Sequence, residues 1–264
     1  MLYGKLPVVL LGTVTAEKPG TAGYTIAYFL LSHPEQAAAM GIEELAQTCH
    51  VSLSSVSRFC REVGLEDFSE LHRILLEETQ AREQVSFPAA DPEIHTEIDR
   101  YCMEVGMVVR QTGETIDREG IRDLCRKIHQ YKRVFAFGPM KAETAAICLQ
   151  SDLFLLGKDI LTCVPLEQQR RVLMQEGKDT LILLFSCSGA YFSYFTSFPV
   201  SLLDVRNRPH IWMVAGEPPR DGREVLERVI RYDALLNRQT HPYPLMAAAG
   251  MIAQEYEALF GKEK

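Results

Sequence analysis

Four serines and two arginines lie close together in VSLSSVSRFCREVG, residues 51–64. These residue types suit contact with DNA, because short hydroxyls can donate to phosphates or bases and arginine can bind guanine or a phosphate through two hydrogen bonds. If Ser52 caps a helix here, the apolar side chains of the stretch face inwards. The outward face then carries the candidate DNA-contacting residues, which are Ser52, Ser54, Ser55, Ser57, Arg58 and Arg61.

A second helix must hold this reading helix in place. The segment IEELAQTC has apolar residues at the spacing of one helix face, and a tight turn joins it to the reading helix. This pair predicts a helix-turn-helix, in which small Ala46 lets the two helices cross closely. His50 lies in the turn, where a positive φ is costly for most residues but less so for His. An ordinary helical hairpin with a solvated polar face explains the same spacing and stays open at this point.

The charge balance limits how such a helix could bind. The 264-residue chain carries a formal net charge of −7. Residues 1–80 contain five basic and ten acidic residues, a net charge of −5. Neutralisation of phosphates by basic side chains dominates affinity for DNA. Because basic residues are few here, we expect each protomer to bind weakly and to depend on specific contacts with its site. This balance excludes a surface that binds nucleic acid over its whole extent.

The C-terminal part of the chain has a different pattern. Residues 80–95 contain two prolines and little periodicity, which predicts a linker between a helical domain at 1–79 and a second domain at 96–264. Apolar strands alternate with helices in the second domain, which is typical of a parallel sheet covered on both faces. The five candidate strands are RVFAFG, DILTCV, TLILLFS, HIWMVAG and YDALL, with helices expected near 191–204 and 222–230 among others.

The fold class predicted is therefore α plus α/β, with an all-helical domain followed by a three-layer αβα domain around a parallel five-stranded sheet. The early apolar run at residues 7–14 is too short to span a bilayer, and we expect a short strand or packing segment there. Seven cysteines without a C-x-x-C pair favour buried thiols in a reducing compartment. We therefore expect a cytoplasmic protein without a metal or a cofactor.

Two loops that follow apolar strands could bind an anion. Ligands of open α/β sheets bind beyond the carboxyl ends of the strands, where backbone N–H groups and serine hydroxyls can surround a phosphate. The candidates in the second loop are Ser186, Ser188 and Gly189, and those in the first loop are Gly138 and Lys141. By itself the sequence S-C-S-G is a weak signal, since most such tetrapeptides form turns.

The segment GIEELAQTCHVSLSSVSRFCREVGLEDFSELHRIL resembles the N-terminal domain of RpiR/MurR-type bacterial transcriptional regulators. In that family a typical motif runs V-S-x-x-T-V-x-R-F-C-K-x-L-G followed by F-x-E-L, and the first twenty residues of this chain do not match the family. Residues 117–264 resemble the SIS (sugar isomerase) domain of that family. DREGIRDLCRKIHQYKRVFAFG resembles its helix and first strand, and TLILLFSCSGAYF resembles the strand and loop where the family places S-x-S-G-x-T. The resemblance implies binding to operator DNA, a sugar phosphate as the sensed ligand, and assembly into a homodimer or homotetramer.

The ligand loops depart from the family pattern. The first loop usually reads G-x-G-x-S, whereas this chain has Met140 and Ala142 at the second Gly and at the hydroxyl position. The usual Thr of the second loop is Tyr191, and Pro139 removes one N–H donor. Lys141 could replace some donors as a point charge. A sugar phosphate, another ligand, and a domain that only dimerises all stay open.

Catalysis is the alternative function. SIS isomerases use a Glu or His base, and the candidates in this chain are Glu143, Glu167, His210 and His241. No pair of them has a diagnostic spacing. A linked DNA-binding domain suits a sensor better than an isomerase, so we predict a ligand-responsive transcriptional regulator that is not an enzyme.

Overall fold

The computed structural model describes residues 5–82, 96–195, 207–233 and 241–261. The N-terminal part is helical, and its helices form one core around buried Leu30, Val56 and Leu71. In chain order, these helices are α1 (Lys5–Ala16), α2 (Ala22–Ser32), α3 (Pro34–Ala39), α4 (Ile42–Thr48), α5 (Leu53–Glu62) and α6 (Phe68–Arg82). The expected linker falls mostly on residues 83–95, outside the described residues.

The C-terminal part is an α/β domain. Its helices are α7 (Glu97–Thr115), α8 (Arg118–Gln130), α9 (Glu143–Leu155), α10 (Leu166–Gln175) and α11 (Tyr243–Phe260). Its strands are β1 (Arg133–Phe137), β2 (Thr180–Phe185), β3 (His210–Ala215) and β4 (Leu226–Arg231). All three neighbouring pairs are parallel, in the order β1-β2-β3-β4.

The two faces of the sheet are covered by different elements, which gives three layers. One face packs in a core with α8, α9 and α11, in which Trp212 of β3 is 4% exposed. The other face packs with α10, with a 3-10 turn at Phe192–Tyr194 and with Val8 of α1. The part of the expected helix near 191–204 that follows residue 195 lies outside the described residues.

The prediction of a five-stranded sheet is wrong for the described residues, which form four strands. DILTCV contributes a single parallel bridge, in which Leu161 exchanges backbone hydrogen bonds with β1. The segment expected to be a helix near 222–230 is instead a 3-10 turn at Arg223–Val225 followed by the strand β4. The spacing of its apolar residues fits the period of a helix as well as that of a strand. Pairing with β3 selects the extended conformation. Of YDALL, residues 232 and 233 are not in a strand and the rest lie outside the described residues.

The early apolar segment is a helix and not a short strand. Leu6 and Leu10 lie in the core of the helical domain, and Val8 lies in the core of the α/β domain. A helix that is apolar on opposite faces is buried between two partners. No helix in the described part of the chain is long and apolar enough to span a membrane. Within the same ranges, no cluster of His, Cys, Asp and Glu could hold a metal ion.

Candidate functional site

The turn between α4 and α5 has the geometry of a Schellman motif. The His50 N–H donates to the Gln47 carbonyl at 3.1 Å, and the Val51 N–H donates to the Ala46 carbonyl at 2.9 Å. His50 occupies the left-handed position with φ 53°. Gly64 ends α5 in the same way, with φ 85°. Both turns are fixed by the hydrogen bonds of the helix ends, and together they set the position of α5 relative to its neighbours.

A cluster of serine hydroxyls lies at the start of α5. The Ser52 hydroxyl accepts from the Ser55 N–H at 3.1 Å, which is the capping bond expected from the sequence. The same oxygen lies 2.8 Å from the hydroxyls of both Ser54 and Ser55. The N terminus of α5 therefore presents hydroxyl groups beside the positive end of a helix dipole, a combination that suits a phosphate or a base edge.

The apolar face of α5 is buried and its polar face is open. Val56, Phe59 and Cys60 are at most 2% exposed, whereas Ser52, Ser54 and Arg58 are exposed. Ser55 and Ser57 are half-buried. The Arg58 guanidinium lies 3.7 Å from the Glu62 carboxylate in a solvent-exposed pair. The six candidate residues thus lie on one short helix, with the three serines 52, 54 and 55 grouped at its beginning.

Two residues differ from the expectation of a single reading face. Arg61 is exposed, but it lines a cavity of about 510 Å³ between the end of α5 and the start of α10. Leu53, which the sequence reasoning did not select, is 47% exposed beside the serine cluster. Its position between two serines could have indicated that it is exposed. An exposed apolar side chain on a reading helix can contact a thymine methyl group.

The two ligand loops follow β1 and β2, at the same edge of the sheet. Gly138 is buried, and its N–H donates to the Glu143 carboxylate at 2.7 Å. Met140 replaces a family Gly and has φ 52°. Gly189 has φ 66°, and a Cβ at this position would lie 2.3 Å from the Pro218 carbonyl oxygen. Gly189 is thus required by the turn and by close contact with the loop after β3.

The structure brings three of the five candidate ligand-binding residues to one cavity. Lys141, Ser186 and Ser188 line it, together with Val8, Tyr194 and His241. Its volume is about 30 Å³, which is room for a water molecule or two. Gly138 and Gly189 lie beside it as buried backbone. Sequence reasoning selected His241 only as a catalytic candidate and missed Val8, since helix α1 was not expected to reach these loops.

Glu143 is the centre of a buried hydrogen-bond network at the end of β1. It is 2% exposed and accepts hydrogen bonds from the Gly138 N–H, the Thr162 hydroxyl and the Gln169 amide. The Tyr191 hydroxyl, which is fully buried, donates to the other end of the Gln169 amide at 2.7 Å. Burial raises the pKa of Glu143 to about 8, although its three hydrogen bonds lower it. The Tyr191 hydroxyl is therefore used inside this network. It does not replace the hydroxyl that the family Thr would offer to a ligand in the second loop.

The other catalytic candidates lie apart from one another. Glu167 binds Arg170 through two hydrogen bonds of 2.7 and 2.8 Å, at the start of α10. His210 begins β3 and pairs with Glu227, at the opposite edge of the sheet from the ligand loops. His241 lines the small cavity, where burial and the charge of Lys141 lower its pKa to about 4. The structure therefore does not bring these four residues together.

These features define a class of protein, in which a helix-turn-helix domain precedes a parallel αβα domain with serine-containing loops at its carboxyl edge. Residues 17–82 match the model of the helix-turn-helix domain of the rpiR family. The similarity to that domain covers about a quarter of the 264-residue chain and concerns its helical N-terminal part.

A curated relative from Providencia stuartii is described as an uncharacterized HTH-type transcriptional regulator in the aarA 3' region. It is 26% identical over 167 residues, which is 62% of this chain and 59% of the relative. This chain thus matches little more than half the length of that relative.

Two solved structures share the fold. The Vibrio vulnificus NanR protein complexed with ManNAc-6P aligns with 97% of this chain and 92% of its own, at 12% identity and a TM-score of 0.52. A protein of Escherichia coli CFT073, solved in complex with a ligand, aligns with 61% of this chain and 88% of its own, at 13% identity and a TM-score of 0.51. At these identities the likeness concerns the fold alone.

Proposed function

We propose that this protein is a DNA-binding transcriptional regulator whose α/β domain binds a phosphorylated sugar or a related small anion. The observation that carries the proposal is the helix-turn-helix itself. Its second helix, α5, buries its apolar face and presents serines and Arg58 to solvent. A surface helix held in this way fits the major groove with its N-terminal residues towards the bases. We also propose a cytoplasmic location, because a protein that reads DNA has to meet it there.

The first half of α5 is the part that reads bases in this proposal. Ser52, Ser54 and Ser55 lie at its N terminus, and Leu53 stands exposed among them. Arg58 lies one turn further along, where it would leave Glu62 and bind a phosphate or a guanine. Arg61 faces the cavity beside α10, and we assign it a smaller part in DNA contact.

The acidic surroundings favour assembly. With a net charge of −5 over residues 1–80, one domain offers few cations for phosphates. Two copies related by a two-fold axis would place two reading helices on a two-fold operator and would double the contacts. We therefore propose a homodimer or homotetramer as the DNA-binding form. Within each protomer, we propose that the boundary between the two domains lies within residues 80–95.

The ligand assignment rests on the loops after β1 and β2. Lys141, Ser186 and Ser188 share one cavity at the carboxyl edge of a parallel sheet, where open α/β proteins bind ligands. Gly138 and Gly189 would contribute backbone only. ManNAc-6P, with which the NanR protein is complexed in its solved structure, is the first probe to use. Ribose 5-phosphate, a phosphorylated pentose, is the second, because it offers the same anionic group on a smaller sugar.

One observation favours the isomerase alternative, which is that His241 lies in the cavity with Lys141. A neutral imidazole there could act as a base. Proton transfer needs a second acid or base, and neither glutamate candidate is available for this role in our proposal. The Glu143 carboxylate accepts hydrogen bonds from Gly138 and Thr162, and the Glu167 carboxylate is paired with Arg170. We therefore propose that the chain is not an enzyme. An aldose–ketose assay with both probes tests this, and turnover abolished by His241→Gln would establish catalysis.

The regulator proposal is tested by footprinting the DNA upstream of the protein's own gene, with and without each probe. We expect a protected site that Ser55→Ala weakens, with unchanged far-UV circular dichroism. Ser151→Ala, at an exposed position of α9 in the α/β domain, serves as the matched serine control and should leave the footprint unaltered. The absence of a specific footprint under every condition would refute the proposal.

A further inference from the structure

Helix α1 connects the two domains through opposite faces. Leu6 and Leu10 are four residues apart, so they share one face and pack into the core of the helical domain. Val8 lies between them on the opposite face, is 4% exposed and belongs to the core of the α/β domain. Movement of α1 relative to the α/β domain would therefore carry the helical domain with it.

The face of α1 that carries Val8 is docked on the ligand loops. Val8 lines the cavity formed by Lys141, Ser186 and Ser188, and α1 also contacts the turns at 140–142 and 192–194. Pockets that bind small metabolites have volumes of about 300–1,000 Å³. The cavity under Val8 is about 30 Å³. A phosphorylated sugar cannot enter while Val8 occupies this place.

Part of the junction between the domains is open. A cavity of about 510 Å³ separates the end of α5 from the start of α10, and it is bordered by Val9 and Gly12 of α1. A Cβ added at Gly12 would have no atom within 4 Å. Since this side of α1 is loosely packed, release of α1 from the loops would disrupt little packing other than that of Val8 and its immediate neighbours.

We propose that α1 is an internal competitor of the anionic ligand, so that docking of Val8 on the loops and binding of a phosphorylated sugar exclude each other. Ligand binding then releases α1 from the α/β domain and changes the position of the reading helix relative to it. The inference rests on the proposed function, because it takes the loops after β1 and β2 as the ligand site. It adds the element that transmits binding to the DNA-contacting domain, and linkage makes the coupling equal in both directions.

The first experiment measures maleimide labelling at three positions of the same helix, read by peptide mass spectrometry. The variants are Val8→Cys on the loop face, Leu10→Cys on the helical-domain face and Leu11→Cys, which replaces a side chain 40% exposed. The probes are ManNAc-6P, ribose 5-phosphate and inorganic phosphate. We expect labelling of Val8→Cys to accelerate by about tenfold or more at saturating probe, as the docked population falls. Labelling of Leu10→Cys should stay slow and that of Leu11→Cys should stay fast.

If Val8→Cys is labelled as slowly with a bound probe as without it, the proposal is overturned. A thermal shift establishes independently that the probe is bound. Accelerated labelling of both Val8→Cys and Leu10→Cys would overturn it as well, because α1 would then be unfolding and not undocking.

The second experiment removes the competitor. Val8→Ser, with Leu11→Ser as the matched control on the exposed face, should bind the phosphorylated probes about tenfold more tightly than the unaltered chain, because a larger fraction of it is competent to bind. If Val8→Ser does not fold, Val8→Ala replaces it. Equal affinity in the variant and the unaltered chain would overturn the competition.

Failure of every probe to bind either protein would overturn it too, since the loops would then hold no anion. The proposed regulator function fails separately, through the absence of a DNA footprint.

Discussion

Replacing Glu143 by Gln tests whether the network beneath the ligand loops contains a protonated carboxyl. The carboxyl is 2% exposed, and burial raises its pKa from 4.5 to about 8. At neutral pH the folded protein therefore holds a proton that the unfolded chain releases. A Gln amide can reproduce the protonated state, with its oxygen accepting from Gly138 and Gln169 and its nitrogen donating to the Thr162 hydroxyl.

The magnitude follows from linkage between proton binding and folding. Below pH 4.5 the carboxyl is protonated in both states and does not affect stability. As the pH rises from 4.5 to about 8, only the unfolded chain loses the proton, and the free energy of unfolding falls. Each unit of pKa difference corresponds to about 1.4 kcal/mol, so the total loss is on the order of 5 kcal/mol for the raised pKa of this buried group. Glu143→Gln removes this loss.

The assay is urea unfolding from pH 5 to pH 9, followed by the fluorescence of Trp212. Trp212 is the only tryptophan of the chain and is buried in β3, so it reports the α/β domain. We expect the variant and the unaltered protein to be of similar stability at pH 5. The variant should become progressively more stable by comparison, by several kcal/mol at pH 9. Glu257→Gln, at an exposed position of α11, controls for the loss of an acidic side chain.

A constant difference between variant and unaltered protein across this pH range would refute the reasoning. It would mean that the carboxyl titrates alike in both states, and that the three hydrogen bonds to the ionised form offset its burial. A variant that is less stable at pH 9 would show that the ionised form is the one the network requires.

Three further changes test other parts of the structure. Arg58→Ala should weaken operator binding and, if Arg58 neutralises one phosphate, reduce the slope of log K against log salt by about 0.9. Because its pair with Glu62 is exposed, the free energy of unfolding should change by less than about 1 kcal/mol in urea titrations. His50→Gly should raise the melting temperature of the helical domain, because the left-handed conformation costs a residue with a Cβ about 1–2 kcal/mol and the extra backbone entropy of Gly offsets only roughly 0.5–1 kcal/mol of this; a lower melting temperature would contradict the reasoning. Tyr191→Phe should lower the stability of the α/β domain by about 1–3 kcal/mol in the Trp fluorescence assay, because the buried Gln169 oxygen loses its donor, and no loss would refute that role.

Local rules were sufficient for the reading helix. Ser52 caps α5, Gly64 ends it, and His50 has the positive φ expected at the turn. Each depends on hydrogen bonds between residues at most five positions apart, so short-range sequence patterns contain the necessary information.

Strand assignments were less successful where tertiary pairing decides. LERVIR has apolar residues that suit a helix face as well as a strand, and only its pairing with β3 makes it extended. DILTCV is apolar enough for a strand but forms one bridge, with Leu161 half exposed beside β1. Sequence spacing does not reveal which segment a neighbouring strand will accept.

The sequence by itself determined the helix-turn-helix, the polar face of α5 and the αβα class of the second domain, because these follow from periodicity, capping and turn geometry. Only the tertiary structure decided what fills the ligand loops. Val8 reaches Ser186 across nearly 180 positions of chain, and Tyr191 reaches Gln169 and Glu143 through the core. Contacts of this kind arise from the packing of distant elements against each other, which no local pattern encodes.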